Sequence, residues 1–328
     1  MSSHVTAPDT ADGSATSGRV TRLDRGWSTV RLDDGAIVRV RNLGTEVAVG
    51  DEVEVSADHE RIDRVHERRS ALTRRSSFEG ARGVRQIVAS NIDTVFVVHA
   101  INAQPNQRRL ERELVLAHDS GAEPVVVLTK SDTVDAARAD AVRAELARAA
   151  LDVEILVTSA RTGEGMDRLR AHASPGRTIA FIGASGAGKS TLVNALVGHE
   201  VQRTGEVRED DQRGRHTTVA AELIDLPDGG WLLDTPGLRA VTLWTSGVGI
   251  ERAFRDVFDA ADGCRFRDCK HVDEPGCAVQ AAIASGALDP ARLESMRRLV
   301  AEELAVEEEQ TERERATDRR GFRRRRPR

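Results

Sequence analysis

Gly183-Ala184-Ser185-Gly186-Ala187-Gly188-Lys189-Ser190 is the stretch on which the reading of this chain turns. It fits the pattern GxxxxGKS, and the apolar run Thr178-Ile179-Ala180-Phe181-Ile182 precedes it, as a strand should precede a phosphate-binding loop. Glycine lets successive backbone N–H groups converge on phosphate oxygens, and the N-terminus of the following helix adds a partial positive charge. Lys189 is placed to bind the β- and γ-phosphates, the Ser190 hydroxyl to ligate Mg²⁺, and Thr191 to lie near the α-phosphate.

Working outward, the strand-like Pro124 to Leu128 runs into Thr129-Lys130-Ser131-Asp132. The Asp132 carboxylate suits a bidentate pair with the ring N–H and exocyclic amine of guanine, which adenine cannot supply, and Lys130 would lay its stem along the base. Thr129 stands where GTPases usually have Asn, so the amide that braces this loop is expected to be missing and nucleotide affinity to be modest. Ser159-Ala160 suits the companion loop that offers a backbone N–H to the guanine oxygen. TKSD alone is weak; joined to Ser159-Ala160 and the phosphate loop it favours GTP over ATP. On the other side, Asp234-Thr235-Pro236-Gly237 matches DxxG, where Asp234 would hold a magnesium-bound water and the Gly237 N–H would sense the γ-phosphate. Leu238 takes the place of a water-orienting Gln, so slow intrinsic hydrolysis is expected. Gly214-Arg215-His216-Thr217-Thr218 reads as a switch segment, with Thr217 or Thr218 as second hydroxyl ligand to Mg²⁺. His216 is a candidate for positioning water, with an RNA-facing or solvated role equally open. In ordinary small GTPases the phosphate loop opens the domain; here the base-reading motif lies about fifty residues ahead of it. The order is permuted.

The 328 residues exceed one typical domain, and the net charge of −5 predicts no nucleic-acid binding from the sum alone. Local charge differs: the last ten residues hold seven arginines. Of 48 basic residues only Lys130, Lys189 and Lys270 are lysine, and two of these fall in nucleotide motifs. A compact ammonium reaches phosphates where a planar guanidinium fits badly. The three cysteines cluster as Cys264-x4-Cys269-x-His271-x5-Cys277, a closed Cys₃His set that reads as a structural zinc site with no position left for water. Phe266 and Val272 are the few apolar residues this loop holds. No apolar run reaches membrane-spanning length and Met1 to Gly18 lacks the apolar centre of a signal peptide, so a cytoplasmic protein with no membrane association is expected, and a monomer.

Residues 1–18 read as a disordered leader and 19–70 as a small β-barrel, of OB or SH3-like type, from short alternating apolar runs between turns such as Asp33-Asp34-Gly35. A basic link with Arg74, Arg75, Arg82 and Arg85 follows. Alternating strands and helices over 85–240 argue a mainly parallel sheet with nucleotide at the carboxyl ends of its strands. Residues 241–305 read as helical around the cysteine cluster, and 306–328 as a solvated Glu/Arg-rich tail that frays.

Together the permuted order, Gly214 to Thr218, Asp234 to Gly237 and the cysteine spacing resemble the bacterial ribosome small-subunit-dependent GTPase A family, also called RsgA or YjeQ, over about residues 19–300. The resemblance implies an N-terminal OB-fold, a central circularly permuted GTPase domain and a C-terminal helical zinc domain. It implies a factor that binds the small ribosomal subunit and its rRNA late in maturation, is stimulated by it, and leaves after hydrolysis to GDP. Thr129, the lack of tyrosine and the charged extension depart from the family pattern. A P-loop ATPase or kinase, and a zinc-dependent nucleic-acid-binding regulator with incidental GTP, are the competing readings.

Overall fold

The computed structural model describes residues 15–75, 85–201, 221–234 and 247–324. The first strands are β1 (Thr16–Asp24), β2 (Trp27–Leu32), β3 (Ile37–Arg41), β4 (Glu52–Val55) and β5 (Ile62–Val65). Their alternation of apolar and polar residues sends Val20, Val30, Leu32, Val40, Val53, Val55 and Ile62 into one small core. Antiparallel pairing joins β1 to β2, β2 to β3, β4 to β5 and β1 to β4, and a parallel bridge between Arg41 and Arg61 brings the end of β3 to the start of β5. The strands thus close a ring in the order 1-2-3-5-4. β1 opens at Thr16, so the strand begins inside the stretch expected to be leader. Where a basic link was expected, β6 (Ala71–Arg75) and β7 (Arg85–Ser90) pair as an antiparallel ribbon.

The second half of the sheet holds β8 (Thr94–Ala100), β9 (Glu123–Thr129), β10 (Glu154–Val157), β11 (Thr178–Gly183), β12 (Glu222–Asp225) and β13 (Trp231–Asp234) in the order β10-β9-β8-β11-β13-β12. All neighbours are parallel except β12, which pairs antiparallel with β13 and, through Arg22 and Glu222, with β1. Helices α1 (Gln107–Asp119), α2 (Ala136–Ala147), α3 (Met166–His172) and α4 (Lys189–Val197) complete the crossovers. Solid apolar runs such as Thr94 to Val98 and Pro124 to Thr129 are buried on both faces, which is why they lack a strand's alternation. Phe96, Val98, Val125 and Val127 pack towards Leu169, Leu192 and Leu196; Val95, Val97, Val126 and Leu128 pack towards Leu110 and Leu114.

That second core does not stop at the sheet. It takes in Ile250, Phe254, Val257, Val279 and Leu293 from α5 (Gly247–Ala253), α6 (Arg255–Ala261), α7 (Ala278–Ala284) and α8 (Pro290–Arg324). The 35-residue α8 runs on where a fraying tail was expected after residue 305. No Gly or Pro interrupts residues 291–320, so nothing in the backbone chemistry ends the helix where its apolar stripe ends. Among the described residues no helix is long and apolar enough to cross a membrane.

Candidate functional site

The parallel order brings the carboxyl ends of β10, β9, β8, β11 and β13 to one edge, and the loops that leave β9, β10, β11 and β13 carry the sequence motifs. Gly183 ends β11 at φ 141°, and a Cβ there would lie 2.4 Å from the Val98 carbonyl oxygen, so only glycine lets the phosphate loop leave against β8. Gly188 has φ 99° and precedes α4, whose first turn carries Lys189, Ser190 and Thr191. Lys189 Nζ donates to the carbonyls of Gly183 at 2.8 Å and Ala184 at 2.5 Å, holding the ammonium over its own loop.

The base-reading motif is tied directly to that loop. Thr129, buried at the end of β9, donates its hydroxyl to the Ala187 carbonyl at 2.5 Å, and a Cβ on Gly188 would meet that same hydroxyl at 3.0 Å. The brace expected to be missing is therefore present, made by a hydroxyl in place of an amide. Lys130 adopts a left-handed backbone, φ 63°, and its Nζ donates to the Gly186 carbonyl at 2.9 Å. Asp132 Oδ1 accepts from the Ser159 hydroxyl at 2.7 Å, with Arg161 Nη1 at 3.8 Å from its other oxygen. The Ser159-Ala160 loop thus stands beside Asp132. Sequence reasoning missed Glu164, which accepts from the Ser131 hydroxyl at 2.6 Å while its carbonyl accepts from the Ser159 N–H at 3.0 Å. Its signal was the turn Gly163-Glu164-Gly165, where a Cβ on Gly165 would lie 2.3 Å from the Val157 carbonyl oxygen.

Asp234 closes β13 beside β11, with Leu233 opposite Ala180. His216, Thr217, Thr218 and Gly237 lie outside the described residues.

A family model described as RsgA GTPase matches residues 65–244. The chain belongs to the RsgA GTPase family. It is 42% identical to the small ribosomal subunit biogenesis GTPase RsgA of Streptomyces coelicolor over 97% of this chain and 88% of that one, and 39% identical to the protein of that name from Methanosarcina acetivorans over 86% and 78%. The crystal structure of YjeQ from Thermotoga maritima superposes with a TM-score of 0.65 at 27% identity, over 88% of this chain and 99% of that one. The crystal structure of YloQ, described as a circularly permuted GTPase, has a TM-score of 0.67 at 20% identity over 91% of this chain and 98% of that one, which speaks for the fold alone. As an RsgA GTPase the chain is a hydrolase acting on GTP.

A second cluster lies between α6 and α7. The donor atoms of Cys264, Cys269, His271 and Cys277 all fall within 4.8 Å of one another. His271 turns Nδ1 to 3.5 Å from both Cys264 and Cys277 Sγ, which are 3.9 Å apart. Sulfurs about 3.8 Å apart are what a tetrahedral zinc with Zn–S bonds of about 2.3 Å requires. The donor set and its spacing therefore fit zinc. Burial tends to raise the Cys264 thiol, but the N–H groups of Val279 and Ala278 bring it below the usual value. Desolvation pushes Cys269 up to about 11. Around these, residues the sequence did not single out hold the loop's shape. Glu274 accepts the N–H groups of Lys270 at 2.7 Å and Val272 at 2.9 Å, which lower its carboxyl to about 2. Arg297 on α8 donates to the carbonyls of Lys270 and His271 at 2.6 and 2.9 Å. Phe266 and Val272 are 42% and 61% exposed, so the loop is not built around them; side-chain-to-backbone bonds and the cysteines shape it.

Proposed function

We propose that this RsgA-family GTPase binds the small ribosomal subunit late in its maturation, hydrolyses GTP to GDP and phosphate under that subunit's stimulation, and then leaves. The observation that carries the reading is the direct bonding of Thr129 and Lys130 to the loop of Gly183 to Ser190, in a permuted motif order, in a chain whose relatives are named small ribosomal subunit biogenesis GTPases.

In this reading Asp132 pairs with the guanine N–H groups, Lys130 lies along the base, and Ser159 and Ala160 close its far edge. The N–H groups of residues 183–190 and Lys189 hold the phosphates. Ser190, with Thr217 or Thr218, would ligate Mg²⁺, which when bound neutralises charge on the β- and γ-phosphate oxygens. Asp234 would hold a magnesium-bound water, the Gly237 N–H would sense the γ-phosphate, and His216 is the residue to test for orienting water, Leu238 being unable to. Cys264, Cys269, His271 and Cys277 hold one structural zinc.

The ring order 1-2-3-5-4 with its parallel closure supports an OB-fold for residues 19–70. A permuted GTPase unit over 85–240 and a zinc-bearing helical segment over 241–305 complete the division, followed by a charged extension over 306–328. We place the protein in the cytoplasm as a monomer that contacts rRNA. The test is GTP turnover with and without purified small subunits, with ATP as competitor. Stimulated, guanine-selective turnover is expected; unchanged turnover, or equal affinity for ATP, overturns the reading.

A further inference from the structure

Strand pairing between β9 and β10 ends at Leu128 and Val157, yet the groups that would read the base, Asp132 and the Ala160 N–H, lie further along on two separate loops. Guanine presents its N–H edge to one loop and its oxygen to the other, so the gap between them must stay fixed for both to bond at once. Past the ladder the Ser131 N–H donates to the Thr158 carbonyl at 3.2 Å. Beyond that bond the two loops are joined through side chains.

Glu164 closes a ring there. Its Oε2 accepts from the Ser131 hydroxyl at 2.6 Å and its backbone carbonyl from the Ser159 N–H at 3.0 Å, while the Ser159 hydroxyl donates to Asp132 Oδ1 at 2.7 Å. The peptide bond from Ser131 to Asp132 completes the circuit. Ser131 and Ser159 are 9% and 1% exposed, so water competes little for these bonds. Among the described residues Glu164 pairs with no arginine or lysine, although Arg161 and Arg168 are near it in the chain; they pair with Asp132 and Glu154. Its carboxylate is committed to the serine hydroxyl.

We propose that Glu164 is a positioning residue for guanine selectivity, acting on the base only through Ser131 and Ser159, and holding Asp132 and the Ala160 N–H at the separation of two edges of one base. A carboxylate has about four acceptor positions, so Asp132 can take both guanine N–H groups while it keeps the Ser159 hydroxyl. This rests on the reading of Asp132 as the guanine acceptor, and it names the group that sets where that acceptor stands.

The test uses the full chain and titrates GDP, IDP and ADP by displacement of a fluorescent GDP analogue. IDP lacks the exocyclic amine and gives Asp132 one N–H where GDP gives two. Glu164→Ala should weaken GDP roughly tenfold, the size of one hydrogen bond to a carboxylate, and IDP only about threefold, so that the preference for GDP over IDP narrows. Glu164→Gln, whose amide oxygen still accepts from Ser131, should stay within about twofold of wild type. Ser131→Ala removes the same bond from its other end; it should reproduce Glu164→Ala, and the double variant should be no weaker than either. Equal losses for GDP and IDP, a Glu164→Gln variant as weak as Glu164→Ala, or additive losses in the double variant would overturn the assignment, and so would wild-type affinity in both single alanine variants. A wild type that binds ADP as tightly as GDP defeats the reading of Asp132 itself, whereas a guanine-selective wild type with an unchanged GDP-to-IDP ratio in Glu164→Ala defeats the role of Glu164 alone.

Discussion

At the scale of single residues, Thr129 shows what a motif leaves unsaid. The side chain sits where an amide was expected, and its hydroxyl bonds a carbonyl 58 positions away in the phosphate loop. Removing that donor leaves a buried carbonyl without a partner, which costs about 1–3 kcal/mol. Thr129→Val should therefore weaken GTP and GDP alike, by about tenfold or more in a fluorescence titration, and Thr129→Ser should stay near wild type. An unchanged affinity in Thr129→Val would show that the bond does not brace the site. Lys189→Ala should abolish nucleotide binding while zinc content, read by atomic absorption, stays at one per chain; loss of both would mean that the loop and the cysteine cluster fold as one unit. Lys130, Asp132 and Lys189 stood out in the sequence because phosphate and guanine chemistry favours those residue types. The bonds of Thr129 to Ala187 and of Glu164 to Ser131 were not, because any hydroxyl or carboxylate is a plausible surface group until the chain folds.

Among the elements, α1 carries the junction between the GTPase sheet and the C-terminal helices. Asp119 accepts the N–H of Gly249 at 2.7 Å, and a Cβ on Gly249 would lie 2.5 Å from the Val115 carbonyl oxygen, so α5 approaches α1 more closely than any residue but glycine permits. In this contact His118 is largely desolvated and faces the Arg252 guanidinium, which together bring it down to about 4. Below about pH 6.5 the unfolded chain takes a proton that the folded chain refuses until about pH 4, so stability falls as pH drops through that window and is unaffected above it. The slope is at most about 1.4 kcal/mol per pH unit, and less here because the ring is partly solvated. His118→Gln should flatten the dependence of the urea midpoint between pH 7 and 5, measured with excess zinc; an identical pH profile would remove His118 from the account. The sequence made α1 legible through Leu110, Leu114 and Ala117 at helical spacing, and β8 and β9 through their apolar runs. It hid the ribbon of β6 and β7 behind arginines, and the length of α8 behind charge, because strong helix formers such as Glu, Arg and Ala extend a helix already nucleated by its packed first turns without an apolar face of their own.

For the molecule as a whole, two buried polar clusters, each centred on one charged side chain, fasten the appended segments to the GTPase. On the barrel side Asp51, fully buried, accepts from Arg68 Nε and Nη2 at 2.7 and 2.8 Å, from the Ser90 hydroxyl at 2.6 Å and from the Ala48 N–H at 2.7 Å. On the other side Arg292 of α8, 2% exposed, reaches Glu111 on α1 at 3.0 Å and Asp256 on α6 at 2.7 Å, while its guanidinium lies 4.6 Å over Phe254. Removing Arg292 strands the Glu111 carboxylate in the core, so Arg292→Met should cost about 3–5 kcal/mol in denaturant unfolding. Asp256→Asn keeps the Glu111 pair and should cost about 1–3 kcal/mol, the loss of a charge-assisted bond that is partly solvated. This fastening bears on the switch. The permuted order sends the chain from Asp234, through residues 235–246, directly into α5, which makes nucleotide state a candidate control of the angle between the helical segment and the barrel. Any such rotation must open the Arg292 cluster, because the helices share the core of the sheet. Loosening the junction with Glu111→Gln, which weakens the bond from α8 across to α1, should then enlarge the difference in radius of gyration between GTP-analogue and GDP forms, measured by solution scattering, and alter small-subunit affinity in parallel. Identical profiles for both nucleotides, in wild type and Glu111→Gln alike, would confine the response to the loops at the nucleotide and end the case for a moving helical segment.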